Sequence, residues 1–186
     1  MVSERQADNP EPSHVARYKM ASKSVRAGDK VLDVFCGTGY GARILASRGA
    51  EVTAFDKWNG QAKAPGITFI HSAFPFADFD PRGYNVITAF EAIEHVDREV
   101  GQELLRSIRF WLADDGIFWL STPNAEVIPF VKAEHPHHLQ HYTQAELAHM
   151  LYLAGFDIVD WLNQERKGTP VFRSGPTGRY MVCRCQ

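Results

Sequence analysis

Two rhythms of apolar residues run through this chain. Lys30–Phe35, Tyr84–Phe90 and Ile117–Ser121 are short, nearly continuous apolar runs, the pattern of strands buried on both faces. Glu51–Phe55, Ile67–His71, Phe156–Leu162 and Gly178–Cys185 complete a set of predicted strands. Between them apolar residues recur every three or four positions, the period of a helix with one buried face. His14–Val25 presents Val15, Tyr18, Met20 and Ala21; Tyr40–Arg48 presents Ile44 and Leu45. A helix within Asp97–Leu112 presents Val100, Leu104, Leu105, Ile108 and Trp111 or Leu112. Thr143-Gln-Ala-Glu146 is a capping box opening a helix that runs through Leu151 or Ala154, and Gly49 and Gly155 sit where helices stop. Asp114-Asp-Gly116 reads as a turn, and Asn59–Gly66 is too short for a complete crossover helix.

Strands alternating with helices at this spacing predict an α/β fold: a doubly wound seven-stranded sheet, mostly parallel. The last two strands, joined through Lys167–Thr177, are expected to pair antiparallel near one edge. Residues 1–13, polar and containing Pro10 and Pro12, are expected to form a flexible leader, and residues 14–186 a single domain.

Composition narrows the function classes. A hydrophobic fraction of 45% with 23% charged residues is ordinary for a globular protein, and no apolar run approaches the ~20 residues that span a bilayer. No membrane association and a cytoplasmic location are expected. A net charge of -2 lacks the basic excess that grips a nucleic acid backbone, although a local basic patch stays compatible with it. The odd set Cys36, Cys183 and Cys185 is no disulfide framework; the latter two, alternating with Val182 and Arg184, are expected on one face as small apolar residues.

The chemistry concentrates at Val31-Leu-Asp-Val-Phe-Cys-Gly-Thr-Gly-Tyr-Gly41. A strand running into a glycine turn and a helix, then a second strand ending in Asp56, is the layout of a nucleoside-cofactor site. The glycines serve a tight turn, close approach to a ligand and close helix packing. Gly37, Gly39 and Ala42 also satisfy the dinucleotide pattern, so a nicotinamide or flavin oxidoreductase stays open, whereas a phosphate loop of the Gly-Lys-Ser/Thr type is absent. Asp33 weighs against a dinucleotide, because a carboxylate beside the turn repels a pyrophosphate and attracts a ligand with a cationic amino acid end. S-adenosylmethionine is such a ligand. No Tyr-x-x-x-Lys pair for hydride transfer occurs either. Asp56 is placed to accept both hydroxyls of a ribose, with Lys57 and Trp58 beside it.

Phe90-Glu-Ala-Ile-Glu-His-Val96 follows a buried strand in the loop facing the cofactor crevice. If it turns helically, Glu91, Glu94 and His95 share one face, able to serve as a general base or to bind a metal. Downstream stand Ser121-Thr-Pro-Asn124 and a segment holding His135, His137, His138 and His141. These histidines lack a thiolate partner and lie in a predicted loop, so zinc held by them alone is not expected.

The glycine segment resembles the first motif of class I S-adenosylmethionine-dependent methyltransferases. The order of all these motifs resembles the ubiquinone-biosynthesis-type O-methyltransferase group, in which Glu-x-x-Glu-His-Val, Ser-Thr-Pro-Asn and His-x-x-x-Tyr/Phe-Thr-x-x-Glu-Leu recur. The resemblance covers roughly Tyr18 to Phe156. It implies a Rossmann-like fold, residues 14–186 as one methyltransferase domain, S-adenosylmethionine as cofactor, and a methyl acceptor that is a small molecule. Asp33, Phe35, Cys36, Gly37, Thr38, Gly39, Asp56, Lys57, Phe90 and Glu91 then line the cofactor, with Ser72 and Ala73 at the adenine. His71-Ser-Ala73 departs from the Gly-Asp-Ala context usual in that superfamily. The catalytic candidates are Glu94, His95 and His138, with a histidine taking the acceptor's proton.

The resemblance also touches enzymes that methylate a terminal RNA 2′-hydroxyl, where a divalent metal would sit at Glu91, Glu94, His95 and His138. Metal-assisted RNA methylation, a dinucleotide-dependent oxidoreductase and a non-catalytic nucleoside-binding module stay open as alternatives, as do the metal and the oligomeric state.

Overall fold

The computed structural model describes residues 10–59, 61, 63–75, 78–164, 172–173 and 178–186. Lys30–Val34 (β1), Glu51–Asp56 (β2), Ile67–His71 (β3), Tyr84–Phe90 (β4) and Leu112–Pro123 (β5) pair side by side in parallel. Ile158–Gln164 (β6), Phe172–Arg173 (β7) and Tyr180–Cys185 (β8) extend the sheet. The order is β3-β2-β1-β4-β5-β8-β6-β7, and β8 inserts antiparallel between β5 and β6. All seven expected strands are present. The two-residue β7, antiparallel to β6 at the outer edge, adds to them.

Period-two alternation divides the core between the faces. Leu32, Val34, Ile87 and Ala89 point to one side, where Arg98–Trp111 (α3) and Gln144–Leu153 (α4) contribute Leu104, Leu105, Ile108, Leu147 and Leu151. Val31, Val52 and Val86 point to the other, against Tyr18 and Ala21 of Pro12–Ala21 (α1) and Ala42 and Leu45 of Tyr40–Ala46 (α2). Each such buried aliphatic side chain contributes about 1.5–3 kcal/mol, which makes the double layer the dominant restraint on the sheet. Cys183 and Cys185 share the first face, free and fully buried, and burial pushes both thiols up.

Several element boundaries differ from expectation. The first helix begins at Pro12 rather than His14, because proline suits the first helical position, and its last turn, Ser22–Ser24, tightens to 3-10 geometry. Ser13 is therefore buried in the domain rather than part of a leader, while residues 1–9 of that leader lie outside the described residues. The buried face of α1 carries Arg17 where Val15 was expected. Asp114-Asp-Gly116 makes no separate turn. Tyr84 pairs with Leu112 and Val86 with Ile117, so the extra residues bulge out of β5. The loop Lys167–Thr177 falls outside the described residues except for β7.

Candidate functional site

The carboxyl ends of β1, β2 and β4 meet where strand order reverses, the crevice in which open α/β sheets take their ligands. After β1 the chain turns through positive φ at Phe35 (56°), Gly37 (53°) and Gly39 (76°). Gly39 and Gly41 serve packing: a Cβ on Gly39 would stand 2.6 Å from the Phe69 ring, and one on Gly41 would overlap Tyr18. A Cβ on Gly37 would meet nothing within 4 Å, so this glycine borders open space.

Asp33 lies fully buried beneath that turn. Its Oδ1 accepts hydrogen bonds from the Tyr18 hydroxyl at 2.9 Å and from Thr88 Oγ1 at 2.7 Å, while its Oδ2 has no partner. Burial raises the carboxyl to about 7, against the lowering effect of the Thr88 and Tyr18 hydrogen bonds. Burial, reinforced by Asp33, likewise raises the Tyr18 hydroxyl. Thr38 Oγ1, in the same turn, is a second buried polar atom without a partner.

Asp56, expected to face a ribose, also braces the turn. Gly37 N–H donates to its Oδ2 and Trp58 N–H to its Oδ1, each at 2.9 Å. Gln61 crosses the turn, its Nε2 donating to the carbonyls of Gly37 (2.8 Å) and Trp58 (2.7 Å). Cys36 is buried in this lattice and its thiol is raised, chiefly by burial. Ser72 N–H donates to the Asp56 carbonyl at 3.0 Å, bringing Ser72 and Ala73 to the same rim; Lys57 is exposed there and its carbonyl meets His71 Nε2. Phe74 packs on the core. Gln61 carried no sequence signal, since it lies in an irregular loop.

At the end of β4, Phe90 packs edge-on against Tyr18 with ring centroids 4.9 Å apart. Glu91 takes a positive φ of 50°, so Glu91, Glu94 and His95 do not share a helical face. Only Ile93–His95 forms a 3-10 turn. Glu91 turns instead to Arg17, a residue missed by the apolar pattern because it reads as a solvated helix position. Arg17 is fully buried, with Nη1 2.9 Å from Glu91 Oε1 and Nε donating to Gln164 Oε1 at 2.8 Å. Its guanidinium stacks 4.4 Å above the Tyr180 ring, and its Nη2 is unpartnered. Ser121 Oγ donates to the same Glu91 oxygen at 2.9 Å. A buried ion pair persists only when such additional bonds offset its desolvation.

Glu94 is fully buried, its Oε2 accepting from Thr122 Oγ1 at 3.0 Å and its Oε1 unpartnered. Burial first, then Glu91, raises its carboxyl well above the usual range. His95 Nδ1 faces the His137 carbonyl at 2.9 Å and therefore carries the proton, which leaves Nε2 with the lone pair in the neutral ring. His138 stands edge-on to His95, centroids 4.8 Å apart, and is held down to about 4 by burial and by His95 and His141. Ligand atoms of Glu94, His95 and His138 lie within 4.8 Å of one another. Glu91, expected in that set, is tied to Arg17 instead.

Residues 9–160 match the model of a family described as a methyltransferase domain. The chain is 29% identical over 147 residues to a probable S-adenosylmethionine-dependent methyltransferase from Mycolicibacterium smegmatis, covering 73% of this chain and 55% of that protein. It is 29% identical over an alignment of 196 residues to a ubiquinone biosynthesis O-methyltransferase from Xanthomonas euvesicatoria, covering 86% of this chain and 81% of the relative. It spans about half the length of several other curated relatives it matches. Among solved structures, a 1,6-didemethyltoxoflavin-N1-methyltransferase from Burkholderia thailandensis, with bound 1,6-didemethyltoxoflavin and S-adenosylhomocysteine, shares the fold. Its TM-score is 0.68 at 21% identity, covering 97% of this chain and 80% of that one.

Proposed function

The chain belongs to the methyltransferase-domain family, of the class I S-adenosylmethionine-dependent kind, and from that premise we propose that it is an enzyme transferring a methyl group to an oxygen of a small-molecule acceptor. The observation that carries the cofactor reading is Asp33 Oδ2, a buried oxygen without a partner in the strand that leads into the Gly37 turn. Leaving a buried polar atom unpaired costs about 1–3 kcal/mol, and a cationic ligand end relieves that cost whereas a pyrophosphate adds repulsion. Asp56 retains lone pairs for ribose hydroxyls beyond its two backbone bonds.

When bound, S-adenosylmethionine supplies an electrophilic sulfonium methyl. The chain's own tasks are to hold the acceptor oxygen in line, exclude water and remove a proton. His95, its Nδ1 proton fixed by the His137 carbonyl, presents Nε2 as general base. His138, weakly basic, positions rather than abstracts. Calorimetry tests the cofactor: micromolar uptake of S-adenosylmethionine with none of NADH is expected, and the reverse order overturns the reading. A screen of phenols, sugars and RNA ends with radiolabelled donor then tests the acceptor class.

A second reading, divalent-metal-assisted methylation of an RNA 2′-hydroxyl, draws on the convergence of Glu94, His95 and His138. The net charge of -2 weighs against it. Label transfer to RNA that chelator abolishes would favour it.

A further inference from the structure

We propose that the loop between β5 and α4 holds a divalent transition metal on His135, His138 and His141, a site that shares His138 with the Glu94–His95 corner and whose metal binding can be read without methyl transfer. The loop leaves and rejoins the sheet at one point, where Asn124 bridges Tyr142 and Ala125 N–H donates to the Tyr142 carbonyl at 2.8 Å. Between those ends it folds back on itself: His135 N–H donates to the Val131 carbonyl at 3.0 Å and His138 N–H to the His135 carbonyl at 3.1 Å. This gathers three of the four histidines, with ring centroids 4.7–5.2 Å apart. One ligand nitrogen of each lies within 4.8 Å of the others. His137 stands outside the set, and its carbonyl faces His95 Nδ1.

His141 is oriented as a metal-binding imidazole is. His141 is buried, with Nδ1 2.7 Å from the Ile128 carbonyl and its ring against Phe130. A carbonyl only accepts, so Nδ1 carries the hydrogen and Nε2 has its lone pair inside the cluster, 2.8 Å from His138 Nδ1. In the structure that pair makes a hydrogen bond. Exchanging its proton for an ion with metal–nitrogen bonds of about 2.0–2.1 Å requires small ring rotations in a surface loop.

Three imidazoles without a carboxylate select zinc, cobalt or nickel over magnesium or calcium, which need oxygen ligands. Three protein ligands leave a coordination position for water. The ion would staple the loop that carries His137 against His95, and so the wall of the crevice.

The test is zinc and cobalt binding to the full, tag-free chain, by calorimetry and by the cobalt visible spectrum, in wild type, His135→Ala, His141→Ala and Glu94→Gln. One equivalent of zinc is expected, unaffected by millimolar magnesium. His135→Ala and His141→Ala should each weaken it at least tenfold, and Glu94→Gln should leave it within twofold. No zinc binding, or loss in Glu94→Gln with retention in His135→Ala, overturns the proposal. His135 is only half-buried, so its substitution is compatible with folding, and S-adenosylmethionine binding in the same samples reports the fold and the methyl-transfer reading separately.

Discussion

The Tyr18 hydroxyl donates to Asp33 Oδ1 at 2.9 Å, tying the first helix directly to the acid at the end of the central strand. Arg17, its neighbour, reaches Glu91 at the end of the next strand. Helix α1 is thereby the clamp over the crevice, and the glycine turn, the β4 end and the amino-terminal helix form one electrostatic unit.

If Asp33 meets the cationic end of the cofactor, as proposed, it should set the pH dependence of cofactor binding. Its folded value of about 7 lies above the ordinary carboxyl value of 3.8, so the folded ligand-free protein keeps a proton that the unfolded chain releases. Asp33 therefore favours folding most below about pH 4, and that contribution is lost as pH rises towards 7. A cationic ligand has the opposite preference, since it favours the ionised carboxylate. S-adenosylmethionine affinity should rise with pH up to about 7, approaching tenfold per unit at full coupling, then level off. Calorimetry between pH 5.5 and 8 checks this, and Asp33→Asn should bind weakly with a flatter profile.

The glycines separate a position bordering open space from positions closed by packing. Gly41→Ala drives a methyl into the Tyr18 ring and should cost about 1–3 kcal/mol in urea unfolding together with cofactor affinity. Gly37→Ala meets no atoms, so its cost is the positive φ alone, about 1–2 kcal/mol, yet its methyl enters the open space and should reduce affinity by more than tenfold.

His95→Ala should lower kcat by about 10²–10⁴ with cofactor affinity nearly unchanged, as expected for a general base. His138→Ala should have the smaller effect on kcat and a larger one on acceptor KM. Single-turnover transfer from radiolabelled donor separates the two, and full turnover in both variants would leave catalysis to positioning.

Thr143→Ala removes the capping box, in which Glu146 N–H donates to Thr143 Oγ1 at 3.2 Å and Thr143 N–H to Glu146 Oε2 at 2.9 Å. A loss of about 1 kcal/mol is expected, restored largely by Thr143→Ser. Glu146 is held below its usual value, first by the Thr143 backbone bond, so the cap's contribution should fade as pH drops below about 4.5.

Much of this could be read along the chain because the rules involved are local. The apolar run of β1, the three-to-four spacing in α3 and the capping box of α4 each depend on residues a few positions apart, and each appears where expected. Arg17 could not be read that way. It looks like a solvated helix position until Glu91, just past β4, Ser121 of β5 and Gln164 of β6 surround it.

The sequence by itself determined the order of strands and helices, the acid ahead of the glycine turn and the family of the chain, since periodicity and backbone geometry act over short stretches. Tertiary structure alone decided that β8 enters between β5 and β6, that Glu91 goes to Arg17 rather than to Glu94 and His95, and that three loop histidines converge. Those outcomes depend on which distant segments share the space left once the two faces of the sheet are filled, and no local pattern encodes that competition.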